Sequence, residues 1–171
     1  MLNKFSQFSN QVNEWTGRAV AWLVLAMVLT TFAIVLLRYG FNFGSIAMQE
    51  SVVYFHSFMF MLAIGYTLKH EQHVRVDVFY QYFTERQKAW VNLLGSIFLL
   101  LPVCGFLIYV SWEYTVNSWQ LFEGSREAGG LPLVFILKTL IPMMPALLAL
   151  QVLANMIDYL QRLSSTKKAS H

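Results

Sequence analysis

The side chains able to ligate a haem, hold a metal or move a proton are concentrated between Gln49 and Tyr80, in QESVVYFHSFMFMLAIGYTLKHEQHVRVDVFY. Haem in a membrane helix bundle takes paired imidazoles from facing spans. Here His56 lies inside an apolar run, His70 and His73 at its inner boundary and His171 in the tail, so no second span offers a partner. In His73-Val-Arg75-Val-Asp77 the three polar residues alternate, but one imidazole and one carboxylate make a poor metal site. Arg75 and Asp77 are better suited to tying a loop to a neighbouring helix or to lipid headgroups. Cys104 is the single cysteine, and neither a nucleophilic arrangement nor a phosphate-binding loop is present. The residues therefore predict no enzyme, no cofactor and no metal. A cytochrome b-type membrane anchor of a redox complex is the alternative, and a self-contained small transporter or channel is a second rival.

Two charges lie in or near apolar runs. Glu50 fits either an ion-path acid or, more simply, a hydrated carboxylate about one turn from the outer boundary, favoured by a helix N-terminus. Lys138, about two turns into the last apolar block, either snorkels outward or pairs with Glu50 across helices.

These residues must be positioned by membrane helices. The chain has 171 residues, 57% hydrophobic and 12% charged, where about a quarter charged is usual for a soluble domain. The apolar residues form blocks at Ala19–Leu37, Ser51–Leu68, Ala89–Val110 and Leu131–Ile157. Each is long enough to cross a hydrocarbon layer of about 30 Å. The expected fold is an all-α integral membrane protein: one membrane domain over 1–171, with four transmembrane helices at roughly 19–38, 48–68, 89–110 and 131–157. Short amphipathic interfacial helices are expected at 2–16 and 74–88. The net charge of +3 matters less than its placement. Lys4, Arg18, Lys69, Arg75, Arg86, Lys88, Arg162, Lys167 and Lys168 fall on one side, whereas Arg38, Arg126, Glu113, Glu123 and Glu127 fall on the other. The positive-inside rule then puts both termini in the cytoplasm, and the basic residues report orientation, with no nucleic acid implied.

Leu2, Phe5, Phe8, Val12 and Trp15 recur at three- and four-residue spacing, the stripe of a surface helix or of an extension of the first span. Ser45 is placed to cap the second helix. On that helix Gln49, Val53, His56 and Phe60 share one face, and Glu50, Tyr54, Ser57 and Met61 share the adjacent one. Such a polar wedge suits a side that meets protein. Pro102 and Gly105 predict a kink in span three, and Pro132 a start for the last helix near its first turn. That helix carries Pro142, Pro145 and the amides Gln151 and Asn155 one turn apart.

Ser45-Ile-Ala-Met-Gln49-Glu50, Gly65-Tyr-Thr-Leu68, His70 and His73-Val-Arg-Val-Asp-Val-Phe-Tyr80 resemble the small membrane subunit (DctQ-like) of tripartite ATP-independent periplasmic (TRAP) transporters. So do Glu123-Gly-Ser125, Gly129-Gly-Leu-Pro132, Leu137-Lys138, Leu140-Ile-Pro142 and Leu147-Leu-Ala-Leu-Gln151. Gln49-Glu50, without a preceding tryptophan, looks like the branch associated with mannitol or chloroaromatic compounds. The resemblance implies a bacterial inner-membrane scaffold subunit in a sodium symport system that imports an organic acid or related solute. Its partners would be a large elevator-type membrane subunit, a periplasmic substrate-binding protein and membrane lipids. The partner-interface residues expected on this basis are Gln49, Glu50, His56, His73, Arg75, Asp77, Glu123, Ser125, Lys138 and Gln151. Of these, Gln49, Glu50, His56, Lys138 and Gln151 would face the large subunit or the interior shared with it, and the loop around Gly124–Gly130 would meet the binding protein.

Overall fold

In the computed structural model, residues 2–70 and 82–168 are described. Helix α1 runs Leu2–Phe41, α2 Ile46–Leu62 and α3 Ile64–Lys69. Helix α4 covers Glu85–Gly95 and passes through a π-helical turn, Ser96–Leu100, into α5, Leu101–Gln120. Helix α6 covers Val134–Lys168. No strand occurs among the described residues. Four helical stretches are long and apolar enough to cross a membrane: Ser6–Phe41, Ile46–Lys69, Arg86–Gln120 and Val134–Gln161. The turns at 42–45 and 121–133 mark one end of the bundle, the loop end; the chain termini lie at the other, the terminal end.

Helix α6 is the hub and packs against every other helix. Its buried line includes Leu140, Pro145, Gln151, Val152 and Ala154. Against it α5 turns Cys104, Ser111, Thr115 and Ser118, all buried, while large residues such as Phe98, Phe106 and Trp112 point outward. Lipid tails are as apolar as leucine, so membrane helices gain by close approach of small residues rather than by hiding large ones. Pro142 has no N–H for the carbonyl of Lys138 four residues back. The Thr115 hydroxyl, which donates to the Ser111 carbonyl at 2.9 Å, lies 3.4 Å from that Lys138 oxygen and offers it a second, weaker partner.

Several local expectations shift. The irregularity in span three is the π turn just ahead of Pro102, where the Leu101 N–H bonds the Ser96 carbonyl five residues back. Pro132 stays outside α6, two residues before Val134. The amphipathic segment at 74–88 is only partly described. Residues 74–81 lie outside the described residues, and Glu85 onward belongs to α4, started by a capping box between Thr84 and Gln87. On α1 the apolar stripe turns outward at Phe8 and Trp15, whereas Ser6, Ser9 and Asn13 are buried.

Candidate functional site

Helix α2 separates two kinds of polar residue. The Ser45 hydroxyl accepts the Met48 N–H at 3.4 Å and sets where the helix begins. From that start Ile46, Gln49, Val53, His56 and Phe60 all fall on the exposed side, and Tyr54 falls inside. The His56 ring stacks on Phe60, centroids 6.2 Å apart. Gln49 and His56 stand seven residues apart, about 10.5 Å along the axis. This face thus presents two hydrogen-bonding groups within an otherwise apolar surface.

Glu50, on the adjacent side, is turned into the loop end. Its Oε1 accepts the Ser125 hydroxyl, and its Oε2 accepts the Leu131 N–H at 2.6 Å. Ser125 Oγ in turn accepts the Glu127 N–H at 3.1 Å, and the Ser125 N–H reaches the Leu131 carbonyl at 3.0 Å. Gly129 takes φ +81°, which glycine adopts at no steric cost. A Cβ on Gly130 would lie 2.8 Å from Glu50 Oε1 and collide with Ser125. One carboxylate therefore ties the start of span two to the loop before span four.

The neighbouring acid completes the loop. Helix α5 ends in a Schellman motif: the Glu123 N–H returns to the Ser118 carbonyl at 3.0 Å and the Phe122 N–H to that of Trp119 at 3.2 Å, with Phe122 at φ 44°. This turn swings the Glu123 carboxylate back over α5, where it accepts the Ser118 hydroxyl at 2.8 Å and pairs with Lys138. The ammonium also sits 3.9 Å above the Tyr114 ring. The anticipated Glu50–Lys138 pair is not formed. Lys138 reaches outward to Glu123, while Glu50 is satisfied by Ser125 and Leu131.

The Lys138 ammonium, then the Ser118 hydroxyl, hold the Glu123 carboxyl below its ordinary value. A depressed pKa contributes stability above the unfolded value, about 4.3, and that contribution is lost as pH falls through the lower folded pKa. Amide exchange in 121–135 should therefore keep its neutral-pH protection at pH 5 and lose it on further acidification, after correction for intrinsic rates. The Glu123→Gln variant should show a smaller step, the remainder coming from the Glu50 contacts to Ser125 and Leu131. An equal acid step in that variant would remove Glu123 as the cause.

Gln151 has 0% exposure and spends its amide inside the bundle. Its oxygen accepts from Asn13 Nδ2 at 2.8 Å and Ser9 Oγ at 3.4 Å; its nitrogen donates to Asn10 and Asn155, both at 2.9 Å. Burial within its own chain removes it from the partner-facing set. Ser9, Asn10 and Asn13 went unnoticed among the sequence candidates, although Ser6, Ser9 and Asn13 follow helical spacing inside the amphipathic stretch. Beside this cluster Glu14 accepts from Lys69 at 2.6 Å, Arg18 at 3.0 Å and lies 3.1 Å from the His70 ring. His73, Arg75 and Asp77 lie outside the described residues.

The family described as tripartite ATP-independent periplasmic transporters, DctQ component, matches residues 27–162. The chain belongs to this family. A DctQ component is part of a transporter and not an enzyme, and four apolar spans make this one a multi-pass inner-membrane protein. Among its relatives is the "C4-dicarboxylate TRAP transporter small permease protein DctQ" of Vibrio cholerae serotype O1, 26% identical over 142 residues. The alignment covers 81% of this chain and 58% of that protein, so the chain spans well under two thirds of its relative's length. No solved structure gives a significant match. The DctQ match takes in the Glu50, Glu123 and Lys138 contacts of the loop end and the Gln151 side of the buried amide cluster.

Proposed function

We propose that the chain is the small scaffold subunit of a sodium-driven TRAP transporter. That transporter imports an organic acid or related solute, and the chain docks through the exposed face of α2 onto its large, elevator-type membrane subunit. The observation that carries the docking is the outward placement of Gln49 and His56 among Ile46, Val53 and Phe60. Hydrocarbon cannot satisfy an imidazole or an amide, so such residues mark faces that meet protein. The C4-dicarboxylate named for the Vibrio cholerae relative supports a dicarboxylate as the solute class. The loop tip at Arg126–Gly129, braced from below by Glu50, is the surface we assign to a periplasmic binding protein. Lys69, Arg86 and Lys88 at the terminal end support a cytoplasmic location for both termini.

Co-purification with the large subunit tests the docking. An interhelical hydrogen bond in a membrane contributes about 1–2 kcal/mol, so His56→Leu should weaken recovery of the pair several-fold and His56→Gln should largely retain it. Val53→Cys should crosslink to the large subunit. Efficient labelling of Val53→Cys by a lipid-soluble reagent in the intact complex would show that α2 faces lipid instead.

A further inference from the structure

Helix α1 does not change surface character where its spanning part should end. Phe8, Trp15, Trp22, Leu29 and Leu36 recur every seventh residue and all are exposed, 59% at Phe8, 76% at Trp15 and 73% at Trp22. Leu25, Phe32 and Tyr39 fill the positions between them along the span. The opposite side, buried, reads Ser6, Ser9, Asn13, Gly17 and Val20. Over its first turns, then, α1 turns Ser6, Ser9 and Asn13 inward and Phe8 and Trp15 outward, with Gln7 and Gln11 also exposed. Alongside, α6 buries Gln151 together with Val152, Ala154 and Tyr159 and exposes Leu153 and Leu160. A helix packed in water has the reverse arrangement.

The lengths agree with apolar surroundings. From Phe8 to Tyr39 the seam runs about 46 Å at about 1.5 Å per residue, or about 43 Å along the bilayer normal at an ordinary tilt of about 20°. A bilayer measures about 30 Å across its hydrocarbon and about 40–45 Å with both headgroup layers. Tyr39, 84% exposed, then falls in the headgroup layer at the loop end. Phe8 falls in the corresponding layer at the terminal end and Trp15, about 10 Å further in, at the hydrocarbon boundary, where amphipathic aromatic rings are favoured.

We infer that residues 6–18 of α1 are a lipid-binding surface rather than a solvent-exposed extension. The seam runs from Phe8 in the headgroup layer to Trp15 at the hydrocarbon boundary, and Arg18 reaches back toward the headgroups, where its side chain pairs with Glu14. The occupant is the bilayer itself, because the seam is continuous with the one that Trp22, Leu29 and Leu36 present to the hydrocarbon. The buried Ser9–Asn13–Gln151 cluster then sits beneath a lipid-clad wall that keeps water from competing for its bonds.

The test uses the full chain with Cys104→Ser, one cysteine introduced at Phe8, Gln11 or Trp15, and Phe32→Cys as the mid-span reference. An environment-sensitive fluorophore is attached, and the protein is placed in vesicles of phosphatidylethanolamine and phosphatidylglycerol, with and without the large membrane subunit. The inference expects the Phe8 label to be quenched several-fold more strongly by doxyl groups near the lipid headgroup than by aqueous iodide, and the Trp15 label by doxyl groups at the top of the acyl chains. The Phe32 label should respond to deep doxyl groups instead. Dominant iodide quenching at Phe8 and Trp15 would overturn it by showing a water-facing helix. Shielding from both quenchers would overturn it too, since protein would then cover the seam. The exposed Gln11 site, the mildest substitution, should give intermediate quenching by headgroup-level doxyl groups, and iodide alone quenching there would count equally against the inference.

Discussion

Gln151→Leu should destabilise the helix bundle by about 2–4 kcal/mol, the largest single effect expected from a side-chain replacement here. Leucine fits the volume but removes the bonds that Asn13, Asn10, Asn155 and Ser9 make to the Gln151 amide, leaving Ser9 its bond to the Leu150 carbonyl and Asn13 its bond to the Ser9 carbonyl. Interhelical hydrogen bonds in membranes average about 0.6 kcal/mol each, and a buried polar group left unpaired costs about 1–3 kcal/mol. Four bonds to buried or half-buried partners reach the stated range without assuming that every partner stays orphaned. Reversible unfolding in bicelles measures it, with the exposed Leu153→Ala as the control. A loss below about 0.5 kcal/mol would mean that the remaining amides re-pair among themselves.

Gly65→Ala should destabilise by about 1–3 kcal/mol through overpacking, although alanine is the better helix former by about 1 kcal/mol. Asn13 Oδ1 occupies the place where a Cβ would stand, with Asn13 Cγ 2.7 Å from it. The same crossing brings Tyr66 of α3 onto Gly17 of α1, so neither helix can yield without separating both contacts. Asn13 Oδ1 finds no hydrogen-bond partner among the described residues and is held in place by its Nδ2 bonds to Gln151 and the Ser9 carbonyl. In an Asn13→Ala background the cost of Gly65→Ala should shrink. The two substitutions should couple by at least about 0.5 kcal/mol. Strict additivity would show that the helices part rather than collide.

Both predictions depend on contacts that no motif displays. Gln151 and Asn155 were legible as polar residues one turn apart, and so as helix-to-helix adhesive. That their partner is the amino-terminal stretch, and not another subunit, follows only from the direction in which α1 faces. An amphipathic stripe has two sides. Its apolar side points to a core in water and to lipid in a membrane, so Leu2-to-Trp15 periodicity alone left Ser9 and Asn13 looking like the outer surface. The exposed line Gln49, Val53, His56 and Phe60 was easier to read, because helical spacing alone groups those residues and Ser45 marks where the count begins.

Apolar block length determined the all-helical, membrane-spanning character, because about 20 apolar residues satisfy both the hydrocarbon thickness and the backbone's own hydrogen bonds. Residue order in two long motifs was enough to indicate the family. Tertiary structure decided the pairing of the charges. By sequence either acid could pair with Lys138, about one turn inside α6, and the choice depends on which carboxylate the chain delivers to it. The left-handed turn at Phe122 brings Glu123 back over α5 to Lys138. The close approach that Gly130 permits claims Glu50 for Ser125 and Leu131. Contacts of this kind join residues far apart in the chain through backbone turns a few residues long, and spacing along the chain carries no record of them.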